Sequence, residues 1–501
     1  MDSKATKKET AGTGNRRQQR REEEQAKRKK QRMIYIIAAA VVVLVIAVIL
    51  YMNSGLFLRT ATAVKIGDER YSIADYNFYY QNTYYQYYMT YYNYYGSYAS
   101  NYMPDAETMR STTLSSMRST QALYNAAVKA GYKVTEETQK NIDDSLAQLP
   151  ETAKSSGYVS VAAFLRANYG KGMTKKVYEE NLVKYMTASD YATYLQENYS
   201  YTADELSAYY DLHADEYDTV SYRIFYRSGA AVTDDPDTPE DETMSADDAM
   251  ALAKEVCQKV VDGTTDEASF IRLARENCTE ATKSVYEDPD NFLRSSTGAN
   301  LDSLFQEWVL DAGRKEGDVD ILESASGCYA LYFISREKND YPTVNVRHIL
   351  IKTATVNEDD YENTADYDAA LQKARDEAHA KILEIKQEWK ASGGTEDAFA
   401  ALADEKSEDS APGGLYEQVY DGQMVSAVND WCFDTAHQPG DSGIVLSEEY
   451  GYHLIYFVGY DKNYCDVLAD NGLRGAEYET WETKEIEQYD IDTTWVMKLR
   501  A

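Results

Sequence analysis

The chain has 501 residues and a formal net charge of −33, split between a basic start and an acidic remainder. That length is more than a single hydrophobic core normally serves, so several domains are expected. Residues 1–33 hold 12 basic and 5 acidic residues, which leaves −40 on the rest; an acidic body behind a short basic tail argues against nucleic acid as a partner.

Residues 1–32 are polar and basic and are expected to form a disordered cytoplasmic tail. Residues 34–52 are then 19 uncharged residues, mostly Ile, Val, Ala and Leu. At about 1.5 Å of rise per residue they suffice to cross a bilayer, so 33–53 is read as a transmembrane anchor. Lys27, Arg28, Lys29, Lys30 and Arg32 abut its N-terminal side, which places the N-terminus inside and the body outside. The alternative is a cleaved signal peptide, with Ala61 and Ala63 as small-residue positions.

Residues 64–71 suggest a short strand and turn, and Ser72 is a plausible cap for the helix that follows. Tyrosine then becomes dense, in the doublets Tyr79-Tyr80, Tyr84-Tyr85, Tyr87-Tyr88, Tyr91-Tyr92 and Tyr94-Tyr95. Their spacing of three to five residues favours a helix. The rings suit contact with unfolded polypeptide, packing between helices, or no role beyond compositional bias. Helices are also expected at 105–131, 135–148, 161–169 and 174–198, and from Thr202 onward, with Pro104 and Pro150 as breaks. The helical block spans about 60–218.

The chain then repeats itself. Thr219-Val220-Ser221-Tyr222-Arg223-Ile224-Phe225-Tyr226 lies 124 residues before Thr343-Val344-Asn345-Val346-Arg347-His348-Ile349-Leu350. Residues 327–334 stand the same 124 before 451–458, and Phe270-Ile271-Arg272-Leu273-Ala274 answers Phe399-Ala400-Ala401-Leu402-Ala403. Two related units are expected, at 219–340 and 341–462. In the first, Ile224 and Tyr329 stand where the second has His348 and His453, and Glu280 answers Asp409. Residues 234–242 form an acidic insert, read as a solvated loop. A helix at 473–488 and a short terminal strand close the segment 463–501.

In the second unit, Leu371, Ala374, Ala378, Ile382, Ile385 and Trp389 form one stripe of a helix over 363–391. Gly393-Gly394 ends it and Thr395 caps the next. The five cysteines, Cys257, Cys278, Cys328, Cys432 and Cys465, are odd in number and form no C-x-x-C; they read as buried or free thiols. His213, His379 and His437 read as surface residues. No metal site or cofactor is expected, because the histidines lack a carboxylate or thiol at ligand spacing.

Seven pieces of the second unit occur in an order that resembles a parvulin-type peptidyl-prolyl isomerase domain. They are Val346-Arg347-His348-Ile349-Leu350, Phe399-Ala400-Ala401-Leu402-Ala403, Ser407-Glu408-Asp409, Gly413-Gly414-Leu415, Gly422-Gln423-Met424, Pro439-Gly440-Asp441 and Tyr450-Gly451-Tyr452-His453. The whole chain resembles a PrsA- or SurA-type extracytoplasmic foldase, although no lipid-accepting cysteine follows the apolar span. The resemblance implies an α+β fold: a helical chaperone block, then two tandem parvulin-like domains, each a four-stranded antiparallel sheet wrapped by helices. It implies catalysis at His348, Asp409 and His453, and a proline pocket lined by Leu415, Met424, Val428 and Phe433. Val428 stands where the family usually has phenylalanine. The first parvulin-like unit, lacking both imidazoles, is expected to be inactive, and 463–501 is expected to pack on the chaperone block. Implied partners are unfolded or partly folded secreted polypeptides with X-Pro bonds. The reaction is rotation about the X-Pro bond, so it needs no bond cleavage. Its site needs an apolar grip on the ring beside a small polar cluster. A carboxylate in such a pocket is expected to have a raised pKa. A holdase that only binds peptide is the alternative function; a tether built on the tyrosine-rich block is a third.

Overall fold

A single helix, α1 (Glu9–Met52), opens the computed structural model, which describes residues 9–52, 54–230 and 244–500. Residues 9–32, expected to be disordered, are helical instead. They are rich in Glu, Gln, Lys and Arg, all strong helix formers, and residues 15–52 contain no Gly or Pro to break the run. Residues 1–8 of the expected tail lie outside the described residues. The apolar part of α1 is long enough to cross a membrane.

The chain divides into two compact units, Met1–Tyr199 with Arg474–Ala501, and Ser200–Leu473. In the first, α2 (Gly55–Thr60) leads into the hairpin β1 (Thr62–Ile66) and β2 (Glu69–Ser72). Ser72 then starts α3 (Ile73–Tyr95): its hydroxyl caps the Asp75 amide while the Asp75 carboxylate accepts from the Ser72 amide. The first turns of α3 bury Tyr76, Phe78 and Tyr79 in the unit's core. Farther along, Tyr84, Tyr88 and Tyr92 stack at the helical i,i+4 spacing, and rings such as Tyr85 and Tyr94 stand exposed. Helices α4 (Ala106–Ala130), α5 (Glu136–Ser155), α6 (Val161–Tyr169) and α7 (Lys175–Glu197) complete the block. Pro150 does not end α5, which continues past it and buries Leu149 and Ala153 on its inner face.

The second unit begins with α8 (Ala203–Leu212) and α9 (Ala214–Tyr217) and then holds two sheets. The first is built from β3 (Thr219–Ser228), α10 (Ala246–Gly263), α11 (Glu267–Asn277), α12 (Lys283–Glu287), β4 (Leu293–Thr297), α13 (Ser303–Val309), β5 (Val319–Ser324) and β6 (Gly327–Glu337). The second is built from β7 (Pro342–Lys352), α14 (Thr364–Ala391), α15 (Glu396–Lys406), β8 (Leu415–Val419), α16 (Ser426–Cys432), β9 (Ser442–Ser447) and β10 (Gly451–Asn463). The antiparallel orders are β4-β3-β6-β5 and β8-β7-β10-β9, one topology used twice. Register repeats as well: Ile224 pairs with Leu331 as His348 pairs with Ile455. A brace recurs too. The Arg223 Nε lies 2.7 Å from Glu267 Oε1, and the Arg347 Nε lies 2.9 Å from Glu396 Oε1. The insert at 234–242 lies outside the described residues.

Strand alternation gives the second sheet two apolar faces. Ile349, Ile351 and Leu454 pack on Ile382, Ile385, Trp389 and Phe399 of α14 and α15. Val344, Val346, Ile455 and Phe457 pack on Val428 and Cys432 of α16. The chain ends with α17 (Tyr464–Ile486), longer than the 473–488 read from sequence, and β11 (Ile491–Thr493). β11 pairs with β1 to complete the sheet β11-β1-β2 of the first unit.

Candidate active site

β7 and β10 run antiparallel with Ile455 opposite His348 and Leu350 opposite His453. The two histidines therefore sit diagonally on one face, the face that α16 covers. Their rings stack at 4.8 Å between centroids, and His348 Nε2 lies 2.6 Å from His453 Nδ1. Both are nearly enclosed, at 9% and 4% exposure. The loop after α15 brings Asp409 to the outer ring nitrogen, with Oδ2 3.2 Å from His348 Nδ1.

That loop is tied to β7 by its own short side chains. The Ser407 hydroxyl accepts from the Leu350 and Asp409 amides, at 3.1 Å each. The Glu408 amide donates to the Leu350 carbonyl, and the Glu408 carboxylate accepts from the Lys352 amide, both at 2.9 Å. Tyr416 on β8 donates its hydroxyl to Asp409 Oδ2 at 2.6 Å, and the Ser410 amide donates to Oδ1 at 2.8 Å. Gly414 fits under this loop only as glycine. Its φ is +63°, and a Cβ there would lie 2.3 Å from the His348 carbonyl oxygen.

These contacts set the charges. Burial on its own raises the Asp409 pKa, but hydrogen bonds from Tyr416 and Ser410, together with His348, outweigh it and hold the carboxyl below its ordinary value. This corrects the raised pKa expected from sequence: the carboxylate has three donors rather than a bare apolar wall. Burial lowers His348 despite the attraction of Asp409. Burial, reinforced by His348, takes His453 down to about 4. Tyr416 is pushed up to about 12 by burial and by its bond to Asp409. An ionised carboxylate only accepts, so His348 Nδ1 carries the proton and its Nε2 accepts from His453 Nδ1–H. His453 Nε2 is left as a buried lone pair without a hydrogen-bond partner.

The four expected pocket residues separate. Met424 and Phe433 are half-buried against the apolar cluster of Val344, Val346, Ile455 and Phe457, on the histidine side of the sheet. Val428 belongs to that cluster's interior at 3% exposure, so it supports the surface from beneath instead of lining it. Leu415 pairs with Arg347, and so by register lies on the opposite side of the sheet from His348. Its neighbour Tyr416 has the histidine side and reaches Asp409. Alternation along β8 was the available signal for Tyr416. Ser407 carried none beyond its place beside Asp409. His379 stacks on Tyr452 at 4.7 Å and His437 packs at a tilt against Trp431 at 4.1 Å, so both are half-buried packing groups rather than open surface.

In the first sheet the corresponding face is filled by rings. Tyr329 lies 4.7 Å from Tyr226 and 5.2 Å from Phe305, and Ile224 packs in the same cluster. The Glu280 side chain is 90% exposed and faces Lys283 at 3.6 Å.

A four-stranded antiparallel sheet flanked by helices, with two hydrogen-bonded histidines and a carboxylate on one face, defines a parvulin-type domain. Two family models match the sequence: a PPIC-type PPIASE domain over residues 329–459, and a SurA-like N-terminal domain over residues 24–192. The chain is thus similar to foldases of the PrsA/SurA type over these two segments. No curated protein matches it. Among solved structures, the PrsA peptidylprolyl isomerase of Bacillus anthracis is 13% identical, with 53% of this chain and 97% of that one covered at a TM-score of 0.20. The PrsA foldase of Lactococcus lactis is 12% identical, covering 69% and 93% at 0.18. A SurA-like chaperone structure from Campylobacter jejuni is 14% identical, covering 51% and 82% at 0.17.

Proposed function

We propose that the chain is a membrane-anchored peptidyl-prolyl cis-trans isomerase and chaperone, acting on secreted polypeptides outside the membrane through His348, Asp409 and His453. The observation that carries this reading is the hydrogen-bonded line His453–His348–Asp409 beside the half-buried Met424 and Phe433. The uncatalysed rotation has a barrier of about 20 kcal/mol. Twisting the amide withdraws electron density from its carbonyl oxygen. An anion beside that oxygen therefore opposes the planar state more than the twisted one, which lowers the barrier. Asp409 is the member of the cluster positioned for this, with its side chain 22% exposed. His348 and His453 hold it: their lowered pKa values keep both rings neutral, so neither cancels the charge. Met424 and Phe433 offer the apolar surface for the proline ring. The apolar part of α1 is the anchor, with the basic cluster on its cytoplasmic side.

A proline-isomerisation assay on the purified full-length protein tests the reading. Wild type is expected to be active, and Asp409→Ala and His348→Ala are expected to lose most of that activity. Equal inactivity of all three would leave the second reading, a holdase. That reading is favoured for the first sheet domain, where Ile224 and Tyr329 fill the place of the imidazoles.

A further inference from the structure

Two of the five cysteines meet in the core of the first sheet domain. Cys257 comes from α10 and Cys328 from β6, and both are fully buried. They belong to one apolar cluster with Ala253, Val260, Phe270 and Tyr332. The two are neighbours in this core although they stand 71 positions apart in the chain. Both thiols are free in the structure.

The helices that cover the two sheets differ at this place. In the second domain α14 presses Ile382, Ile385 and Trp389 onto its sheet. In the first, α10 offers Ala253, Cys257 and Val260. The smaller side chains exclude less apolar surface from water, so the first core has less to hold its helix in place.

We infer that Cys257 and Cys328 close into a disulfide while the body folds, with a disulfide-bearing oxidant as electron acceptor, and that the bond staples α10 to β6. One cysteine thiolate attacks the oxidant's disulfide, giving a mixed disulfide and releasing one oxidant thiolate. The second cysteine thiolate then attacks the protein sulfur of that mixed disulfide and releases the other. The two electrons and the two thiol protons end on the oxidant as two thiols, and one S–S bond forms in the protein. The step belongs to folding, before the core seals. In the finished core burial raises both thiol pKa values, so the thiolate is scarce and the oxidant has no access. Closing so long a loop restricts the unfolded chain and favours the folded domain. The role in a cell rests on the extracytoplasmic placement proposed above. The test does not, because it supplies its own oxidant.

The experiment refolds the full-length protein from denaturant with a mixture of reduced and oxidised glutathione. Thiols are then blocked under denaturing conditions, and the labels are counted by intact mass. Three labels, with a proteolytic peptide pair joining Cys257 to Cys328, are expected, rising to five after reduction. Five labels without reduction would overturn the proposal, and so would a bond involving Cys278, Cys432 or Cys465. The oxidised protein is also expected to melt roughly 10 °C above its reduced form in this domain's transition. Equal melting would overturn the stapling role. The wild-type chain serves throughout, so no variant has to fold.

Discussion

His348 Nε2 and His453 Nδ1 are 2.6 Å apart, and that hydrogen bond passes on to His453 the proton arrangement that Asp409 sets at His348. Once Asp409 is ionised, the direction of every donor in the line is determined, ending at the unpartnered His453 Nε2. The rings are too enclosed to meet a peptide directly. In the proposed reaction they act through the orientation of Asp409.

Acid should weaken the fold through this line. His453 is held near 4 in the folded state against about 6.5 in an unfolded chain, so between these values the unfolded state binds more protons. Stability is therefore expected to fall as pH drops through that window, by about 2 kcal/mol between pH 7 and pH 5. Asp409, lowered in the folded state, acts in the same direction at still lower pH. Chemical denaturation of wild type and His453→Gln at the two pH values measures this. The variant should show the shallower dependence.

Tyr416→Phe removes one donor from Asp409 while keeping the ring in place. The bond is short and its acceptor is charged, so roughly a tenfold loss of isomerase rate is expected. The Asp409 pKa should rise, moving the acid limb of the rate profile upward. An unchanged limb would mean that the hydroxyl does not tune the carboxylate.

Much of this was legible because side-chain alternation in strands is strict. Val346-Arg347-His348 and Tyr452-His453-Leu454 declare strands with one imidazole each, and the 124-residue offset aligns two sheets that share one order and one register. Leu415 was misplaced because the turn before it gave no parity. The backbone irregularity at Gln418, with φ +52°, also breaks the ladder between Tyr416 and Val419. The polar, basic composition of residues 9–32 points to disorder. The helix propensity of Glu, Lys, Arg and Gln, and the helix they join, decided otherwise. The sign of the Asp409 shift depended on Tyr416 and Ser410, which only the folded loop brings to it.

The two arginine braces should be structural rather than catalytic. Arg223 is nearly buried and bonds both Glu267 and the Pro289 carbonyl. Arg223→Met leaves those acceptors unpaired and is expected to cost about 2 kcal/mol in the first sheet domain. A lower denaturation midpoint with an unchanged isomerisation rate would meet this expectation.

The anchor can be checked on intact cells stripped of their walls. External protease should digest the body and leave a membrane-bound stub containing residues 34–52. Complete protection of the body would reverse the orientation, and release of the body without protease would indicate a cleaved leader.

The two sheet domains should divide the work. They share topology, register and the arginine brace, and the difference that bears on catalysis lies in the face that α16 or α13 covers. On that face the second domain carries His348 and His453, while the first carries Ile224 and Tyr329 among aromatic rings. No charged group can be held there by neutral imidazoles, and Glu280 stands in solvent beside Lys283. Asp409→Ala is therefore expected to lower isomerase activity about 100-fold. Glu280→Ala should change it by less than about twofold, since an exposed ion pair contributes little. Measuring both variants in the full-length protein, with circular dichroism to confirm folding, decides the matter. A large loss from Glu280→Ala would place catalysis in the first domain as well.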